Sequence, residues 1–160
     1  MQITEAQPNE LAAIMTIEQA GFTPDEAASE AAMAQRIAVI PDTFLVAHDH
    51  GQVAGYIVGP AMTKRYISDD LFTALTANQA DEPYLAVLSL AVAPTQQGRG
   101  VGGALLEAFA KRARAQGRQA ITLTCLERLV PFYEAHGYVN EGVADSDHAG
   151  EIWLNMVREL

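Results

Sequence analysis

Hydrophobic and polar residues follow two different periods along this chain, and each period predicts one kind of secondary structure. Short, mostly apolar runs bounded by turn-forming residues are typical of β-strands. Such runs lie at 2–6, 43–48, 52–58, 85–92, 120–126, 138–141 and 152–157. Apolar residues spaced by three or four positions predict helices with one buried face. This spacing predicts helices over 11–18, 23–36, 105–113 (ended by Gly117) and 129–136, with a short one over 69–75.

The order of these elements predicts a mixed sheet in a single α+β domain that spans residues 1–160. Asp49-His50-Gly51 joins two strands as a tight hairpin, which predicts antiparallel neighbours. The strand–helix–strand unit at 85–126 needs a crossover and therefore predicts a parallel central pair. The long, mostly apolar run at 85–92 is typical of a strand buried on both faces. Thr23-Pro24-Asp25-Glu26 combines an N-cap, a proline and an acidic third position, which predicts a helix start.

Composition is typical of a soluble globular protein. Hydrophobic residues make up 49% of the 160 residues, yet no run approaches the roughly 18 apolar residues of a membrane span. Met1–Glu5 lacks the basic and apolar regions of a signal peptide, and Cys125 has no second cysteine to pair with. The expected compartment is therefore the reducing cytoplasm, without a membrane partner. The oligomeric state is left open between a monomer and a homodimer.

Charge is unevenly distributed along the chain. The formal net charge of −10 argues against nucleic acid as a partner, because nucleic-acid binders present basic surfaces. Residues 1–82 contain twelve acidic residues against three basic ones, whereas six of the ten basic residues lie within 99–128. An acidic half attracts a cationic substrate and a basic stretch attracts an anionic cofactor. Solvated faces that keep the protein soluble explain the same charges.

A glycine-rich segment, QQGRGVGG at 96–103, lies between the buried strand and the next helix. Gly98, Gly100 and Gly103 satisfy the dinucleotide fingerprint, but no acidic residue ends the following strand to hold a ribose. A nucleoside-triphosphate loop needs Lys and then Ser or Thr after its last glycine, and Ala104-Leu105 stands there instead. Two interpretations remain: a Gln-x-x-Gly-x-Gly cradle for a pyrophosphate at a helix N-terminus, or a turn that only caps the helix.

Two segments within residues 84–142, SLAVAPTQQGRGVGGALLEAF and ITLTCLERLVPFYEAHGYVNEG, resemble the GNAT superfamily of acetyl-CoA-dependent N-acetyltransferases. The buried strand, the Gln-x-x-Gly-x-Gly loop and the PFYEAHGY block carry the resemblance. LTCLERLVPFYEAHGY is further similar to arylalkylamine (serotonin-type) N-acetyltransferases and their microbial relatives. The resemblance implies a GNAT fold: a mixed, mostly antiparallel sheet of six to seven strands, a splayed parallel central pair and about four flanking helices.

The resemblance also implies roles for individual residues around acetyl-CoA. Backbone groups of Leu90, Ala91 and Val92 are expected to pair with the pantetheine arm as if it were another strand. The residues expected to hold the pyrophosphate are Gln97, Gly98, Arg99, Gly100, Val101 and Gly102. Tyr133 falls where the family places a tyrosine that protonates or hydrogen-bonds the departing thiolate. Cys125 is interpreted as a small buried residue and not as an acyl carrier.

The implied reaction is direct attack of a neutral amine on the thioester through a tetrahedral intermediate, with a backbone N–H near Leu90 meeting the oxyanion. The His-x-His pair of the vertebrate arylalkylamine enzymes aligns with Ala86 and Leu88, so the base must differ; Glu18 or another acid acting through water is a substitute. The expected acceptor is a small aromatic or cationic amine. The alternatives are a protein N-terminus or lysine, or an acyl-CoA-binding module without turnover. No metal is expected, because His48, His50, His136 and His148 lack metal-ligand spacing.

Overall fold

The computed structural model describes residues 1–72, 75–146 and 148–160 of the chain. Its α-helices are α1 (Leu11–Gly21), α2 (Glu30–Val39), α3 (Val101–Ala115) and α4 (Val130–Glu134). Its strands are β1 (Gln2–Glu5), β2 (Phe44–Asp49), β3 (Gln52–Val58), β4 (Ala61–Met62), β5 (Tyr84–Val87), β6 (Ser89–Val92), β7 (Ala120–Leu126), β8 (Val139–Val143) and β9 (Trp153–Glu159). Within these ranges no helix is long and apolar enough to cross a bilayer.

The strands form two sheets that together have the mixed, mostly antiparallel arrangement predicted from the sequence. One sheet has the order β1-β2-β3-β6 and the other has the order β4-β5-β7-β9-β8. β5 and β7 are parallel, with Val87 opposite Leu123, and the other pairings among the described strands are antiparallel. α3 provides the crossover between β6 and β7. The predicted parallel central pair is therefore confirmed.

The continuous strand predicted at 85–92 is divided at Leu88, and its two halves belong to different sheets. β5 ends at Val87 beside β7, whereas β6 begins at Ser89 opposite Val58 of β3. Along their described residues, β6 and β7 form no pairing with each other, so the two strands leave a gap. This division and the short β4 explain why the described residues form nine strands where the apolar pattern predicts seven runs.

Helices cover both faces of the first sheet, which explains the nearly continuous apolar runs in its strands. α3 packs on one face through Leu105, Leu106 and Phe109, which are fully buried. α1 and α2 pack on the other face through residues such as Ile14 and Met33. Along β2 and β3, successive side chains belong alternately to the core under α3 and to the core under α1 and α2. This alternation is expected for side chains that point to opposite faces of a strand.

The helix predicted to start at Thr23 begins at Glu30 instead. The predicted start does close one turn, in which the Thr23 N–H donates to the Glu26 carboxylate at 3.1 Å. The Ala28 N–H then donates to the carboxylate of Glu18 at 2.8 Å and so leaves the helical ladder. A buried side chain of the preceding helix therefore overrides the local capping signal.

Two other predicted boundaries change only slightly. The short helix predicted over 69–75 is a 3-10 turn at Asp69–Phe72, and residues 73 and 74 of that prediction lie outside the described ranges. The helix predicted over 129–136 shortens to α4, which is preceded by a 3-10 turn at Glu127–Leu129. Helix boundaries of this kind depend on contacts at the ends of the helix, which the spacing of apolar residues does not encode.

Gly59 follows β3 where the chain passes β5, and it has no room for a side chain. A Cβ atom at this position would overlap the carbonyl group of Ala86. We expect Gly59→Ala to lower the free energy of unfolding by about 1–3 kcal/mol, because the backbone of β5 must move to admit the methyl group. Urea denaturation measures this change.

The matched control is Gly21→Ala, since a Cβ there would meet the Ala91 methyl group at an ordinary 3.9 Å. Its free energy of unfolding should stay the same or rise, because alanine restricts the unfolded chain. An equal loss of stability in both variants would contradict the steric explanation.

Candidate active site

The glycine-rich loop leads the chain from β6 into α3 through backbone conformations that favour glycine. Gly98 and Gly100 have φ angles of +78° and +80°, and Gly100 is the N-cap of α3. The first N–H groups of a helix have no carbonyl within the helix to bind, so those of Val101, Gly102 and Gly103 are available to a ligand. With the helix dipole, they make this end of α3 suited to a negatively charged group.

A groove of about 800 Å³ runs beside this loop, and we call it the loop groove. Its lining contains the predicted cofactor-binding residues Leu90, Ala91, Val92, Gln97, Gly98, Gly100, Val101 and Gly102, together with Gly103, Leu129, Phe132, Tyr133 and His136. Arg99 is the exception among the predicted residues, because its side chain is 65% exposed and lies 4.0 Å from the Asp49 carboxylate. The sequence-predicted cradle is thus brought together as one surface, apart from Arg99.

The backbone of β6 presents alternate peptide groups to the gap between β6 and β7. In an antiparallel pair, alternate residues bond to the partner strand and the residues between them point away from it. The Ala93 N–H donates to the Ala54 carbonyl at 2.8 Å, which places Leu90 and Val92 at the positions that point away from β3. The N–H and C=O groups of Leu90 and Val92 therefore face the gap, where a ligand has access to them.

The gap widens into a cavity of about 280 Å³ between β5, β6 and β7, and we call it the splay cavity. Among the described residues, three carboxylates line it, those of Glu18, Glu26 and Asp69, against the single guanidinium of Arg128. Phe22, His148 and Trp153 also line its wall. An excess of carboxylates in a concave site raises the local concentration of cations, so the cavity is suited to a cationic ligand.

The loop groove and the splay cavity meet at Tyr133. The residues common to both linings are Leu90, Ala91, Val92, Gln97, Leu129 and Tyr133. The Tyr133 ring is buried, and it packs edge-on against Phe132 and Tyr138. Burial, with a smaller contribution from Cys125, raises the pKa of the Tyr133 phenol. The Tyr133 hydroxyl therefore carries its proton at neutral pH.

A buried polar cluster forms one wall of the splay cavity. Of its members, the sequence indicates only Glu18 as a candidate base. The carboxylate of Glu18 accepts hydrogen bonds from the hydroxyl of Tyr56, from the hydroxyl of Ser89 at 2.6 Å and from the Ala28 N–H at 2.8 Å. Ser89 is a polar residue inside the apolar run 85–92, and that interruption is the signal by which the sequence marks it. Tyr56 has no comparable signal, because aromatic residues are common in buried strands.

Three basic residues of α3, which belong to the basic stretch 99–128, lie away from these two spaces. Arg112 of α3 donates to the Glu5 carboxylate at 2.7 Å and to the Asp42 carbonyl at 2.5 Å, which holds it beside β1. Lys111 and Arg114 are exposed on the same helix, and neither lines the loop groove. Within the described part of the chain, no cluster of three metal-ligating side chains forms.

Comparisons with known proteins agree with this architecture. Residues 11–138 match the Acetyltransferase (GNAT) family. Ard1 from Thermoplasma volcanium superposes with a TM-score of 0.79 at 22% identity, covering 99% of this chain and 97% of that one. The GphF GNAT-like decarboxylase, solved with isobutyryl-CoA, has a TM-score of 0.84 at 18% identity and covers 99% of each chain.

The ribosomal-protein-S18-alanine N-acetyltransferase from Escherichia coli has a TM-score of 0.71 at 17% identity, covering 99% of this chain and 92% of that one. No curated protein sequence matches this chain significantly. Likeness at these identities shows the fold, and it confirms the GNAT fold that the sequence resemblance implied. The family match spans most of the chain, from α1 to the end of the PFYEAHGY block. The chain therefore belongs to the acetyltransferase (GNAT) family, whose members are acyltransferases that use acetyl-CoA.

Proposed function

We propose that this protein transfers the acetyl group of acetyl-CoA to the primary amine of a small cationic or aromatic molecule. The observation that carries the proposal is the meeting of two chemically different spaces at Tyr133. The loop groove offers backbone N–H groups to an anionic, extended cofactor, and the splay cavity offers carboxylates to a cation. A cavity of about 280 Å³ lies at the small end of the range for ligand pockets, which favours a small amine.

The backbone carries most of the proposed cofactor contacts. The peptide groups of Leu90 and Val92 that face the gap pair with the amides of the pantetheine arm, in the way that an added strand would. The N–H groups at Gly98 and along the first turn of α3 bind the pyrophosphate. Gln97 lines both spaces, and its side chain also donates to the Val92 carbonyl at 3.4 Å. Arg99 contributes charge from the rim, since it is exposed beside the loop.

Two groups at the junction support the chemistry of acyl transfer. The Leu90 N–H faces the gap and is placed to stabilise the negative charge that develops on the thioester oxygen. The Tyr133 hydroxyl keeps its proton because burial raises the pKa of the phenol, so it serves as the general acid that protonates the departing thiolate. Both groups lie on elements packed into the core, which fixes their positions before the acceptor binds.

Cys125 does not fit the role of an acyl carrier, although it lines the splay cavity near Tyr133. A nucleophilic cysteine needs a thiolate, which nearby positive charge or a helix N-terminus normally stabilises. Burial instead raises the pKa of the Cys125 thiol to about 11. The amine therefore attacks acetyl-CoA directly, without a covalent acetyl-enzyme.

Aromatic and acidic groups in the splay cavity favour an aromatic amine such as those used by the arylalkylamine branch. Phe22 and Trp153 offer ring surfaces, while Glu18, Glu26 and Asp69 offer negative charge. The second candidate acceptor is a protein N-terminus, which carries the same ammonium group. The similarity to the E. coli ribosomal-protein-S18-alanine N-acetyltransferase favours this alternative.

The test of the proposed function is thiol release from acetyl-CoA, followed with a chromogenic disulfide in the presence of single acceptors. We expect tyramine, tryptamine or spermidine to release thiol faster than a basic peptide with a free N-terminus, because the cavity admits a small amine. Faster release with the peptide would establish the second candidate. Tight binding of coenzyme A without thiol release from any acceptor would overturn the proposed catalytic function. The protein would then be an acyl-CoA-binding module.

Removal of the Tyr133 hydroxyl tests its role as the general acid. We expect Tyr133→Phe to lower kcat by about 10²-fold, the usual contribution of a positioned acid, and to leave the Kd for coenzyme A nearly unchanged. Tyr138→Phe is the matched control: Tyr138 is also buried, and its hydroxyl has no partner among the described residues. Equal kcat values for both variants would remove Tyr133 from the mechanism.

Substitution of glycines that have positive φ angles tests the proposed pyrophosphate-binding loop. Gly100→Ala and Gly117→Ala change residues with φ of +80° and +77° at opposite ends of α3, and a methyl group would meet open space at both. We expect each to lower the free energy of unfolding by about 1 kcal/mol. Only Gly100→Ala should raise the Kd for coenzyme A, by about tenfold, because the strain distorts the loop. Calorimetric titration measures the Kd, and equal affinity in the two variants would contradict the cradle.

A further inference from the structure

We propose that Ser89 and Glu18 form the path by which a protonated amine acceptor loses its proton before it attacks the thioester. The inference rests on the acetyltransferase function proposed above, and it assigns a base to a site whose sequence lacks the histidine pair of the arylalkylamine enzymes. Both side chains line the splay cavity, and they are only 4% and 3% exposed. The Ser89 hydroxyl donates to Glu18 Oε1 at 2.6 Å.

The hydrogen bonds around Glu18 connect Ser89 directly to Oε1, the carboxylate oxygen that receives the proton. An ionised carboxylate offers about four lone-pair sites. Tyr56 and Ser89 donate to Oε1, and the Ala28 N–H donates to Oε2, so one site remains on Oε2. A serine hydroxyl that donates one bond still has lone pairs with which to accept another. Ser89 is therefore able to accept a hydrogen bond from an ammonium group in the cavity while it donates to Glu18.

The position of Ser89 in the fold matches the position of the reaction. Ser89 directly precedes Leu90, whose N–H faces the gap and is the proposed oxyanion donor. Neighbouring residues of a strand are about 3.3 Å apart along its axis, and a nucleophile must approach its carbonyl carbon to about 3–3.5 Å. A nitrogen hydrogen-bonded to Ser89 therefore lies within reach of a carbonyl bound at Leu90.

Hydrogen-bond donors and one guanidinium surround the Glu18 carboxylate. Arg36 of α2 is buried on the same side, and its guanidinium interacts electrostatically with the carboxylate. Tyr56 of β3 remains a neutral donor, because burial and the Glu18 carboxylate raise the pKa of its phenol. Glu26, in the turn after α1, also lines the cavity and adds negative charge that attracts the ammonium group. Three donors and one guanidinium together offset the cost of burying the carboxylate.

The proton transfers balance across the reaction. The ammonium nitrogen gives one proton to Ser89 Oγ while Ser89 passes its own proton to Glu18 Oε1, which leaves a neutral amine and a protonated carboxyl. The amine forms the C–N bond, and the C–S bond breaks as Tyr133 gives its proton to the departing sulfur. The second N–H proton of the attacking nitrogen restores the Tyr133 phenol, and Glu18 then returns its proton to solvent. The sum is an amide, a thiol and one released proton.

The test compares two acceptors of similar size that differ in charge. Phenethylamine is an ammonium ion at pH 7, with a pKa near the value of about 10 for an alkylamine, whereas phenylhydrazine is neutral there. We expect Glu18→Gln and Ser89→Ala to lower kcat/KM for phenethylamine by about 10²-fold, as removal of a general base does. For phenylhydrazine the loss should be small, because this acceptor needs no deprotonation before attack. The phenethylamine defect should shrink as the pH approaches about 10.

Glu10→Gln is the matched control, because Glu10 is a partly buried carboxylate beside α1 that binds His48, and neither residue lines the splay cavity. Its kinetics should match those of the unchanged protein, and the Kd for coenzyme A should be the same in all variants. If Glu18→Gln fails to fold, the kinetics of Ser89→Ala alone test the proton path, since this variant keeps the hydrogen bonds from Tyr56 and Ala28 to Glu18.

Three outcomes overturn the inference, and they can be told apart. Equal losses with both acceptors would show that Glu18 and Ser89 only support the cavity wall. Full phenethylamine activity in Ser89→Ala would remove the relay while the acetyltransferase function stands. Acetylation of neither acceptor by the unchanged protein would overturn the proposed small-amine function and the proton path with it.

Discussion

The division of one apolar strand at Leu88 is the constraint on which the rest of the site depends. β5 stays with β7 and β6 stays with β3, so the hydrogen bonds that would close the sheet between β6 and β7 are not made. Unpaired peptide groups inside a protein are costly unless a ligand or solvent satisfies them. The backbone N–H and C=O groups of Leu90 and Val92 are therefore available to a ligand in the gap. Packing of the hydrophobic core keeps β6 and β7 apart around it.

The two spaces that meet at this gap have opposite electrostatic character, and the fold produces that difference from ordinary elements. On one side, the start of α3 presents N–H groups without helical partners, and left-handed glycines shape the backbone around them. On the other side, the end of α1 and the turn that follows it contribute carboxylates. Tyr133 lies between them on a short helix that packs against Tyr138. In the proposed function, an anionic cofactor and a cationic acceptor therefore approach Tyr133 from these two spaces.

The buried carboxylate of Glu18 links local structure to the site. Its bond to the Ala28 N–H ends the turn that the capping signal at Thr23 begins, and α2 then starts after Ser29, whose hydroxyl accepts from the Ala32 N–H. Its bond to Ser89 ties the same segment to the start of β6. The capping residues at 23–26 predict a helix over 23–36. The contact that shortens the helix comes from a side chain ten residues away in another element.

Periodicity, turn residues and short motifs are local properties of the chain, and they are enough to predict most of the elements, the parallel crossover and the glycine-rich loop, and to make Tyr133 a candidate. They also exclude dinucleotide and nucleoside-triphosphate loops, since each needs residues that are absent at fixed positions. Contacts between distant parts of the chain are needed to show that 85–92 is two strands in two sheets, that Arg112 binds Glu5 and Asp42, and that Ser89 and Tyr56 converge on Glu18. These facts depend on which distant residues meet in space, and no local period of hydrophobic and polar positions carries that information.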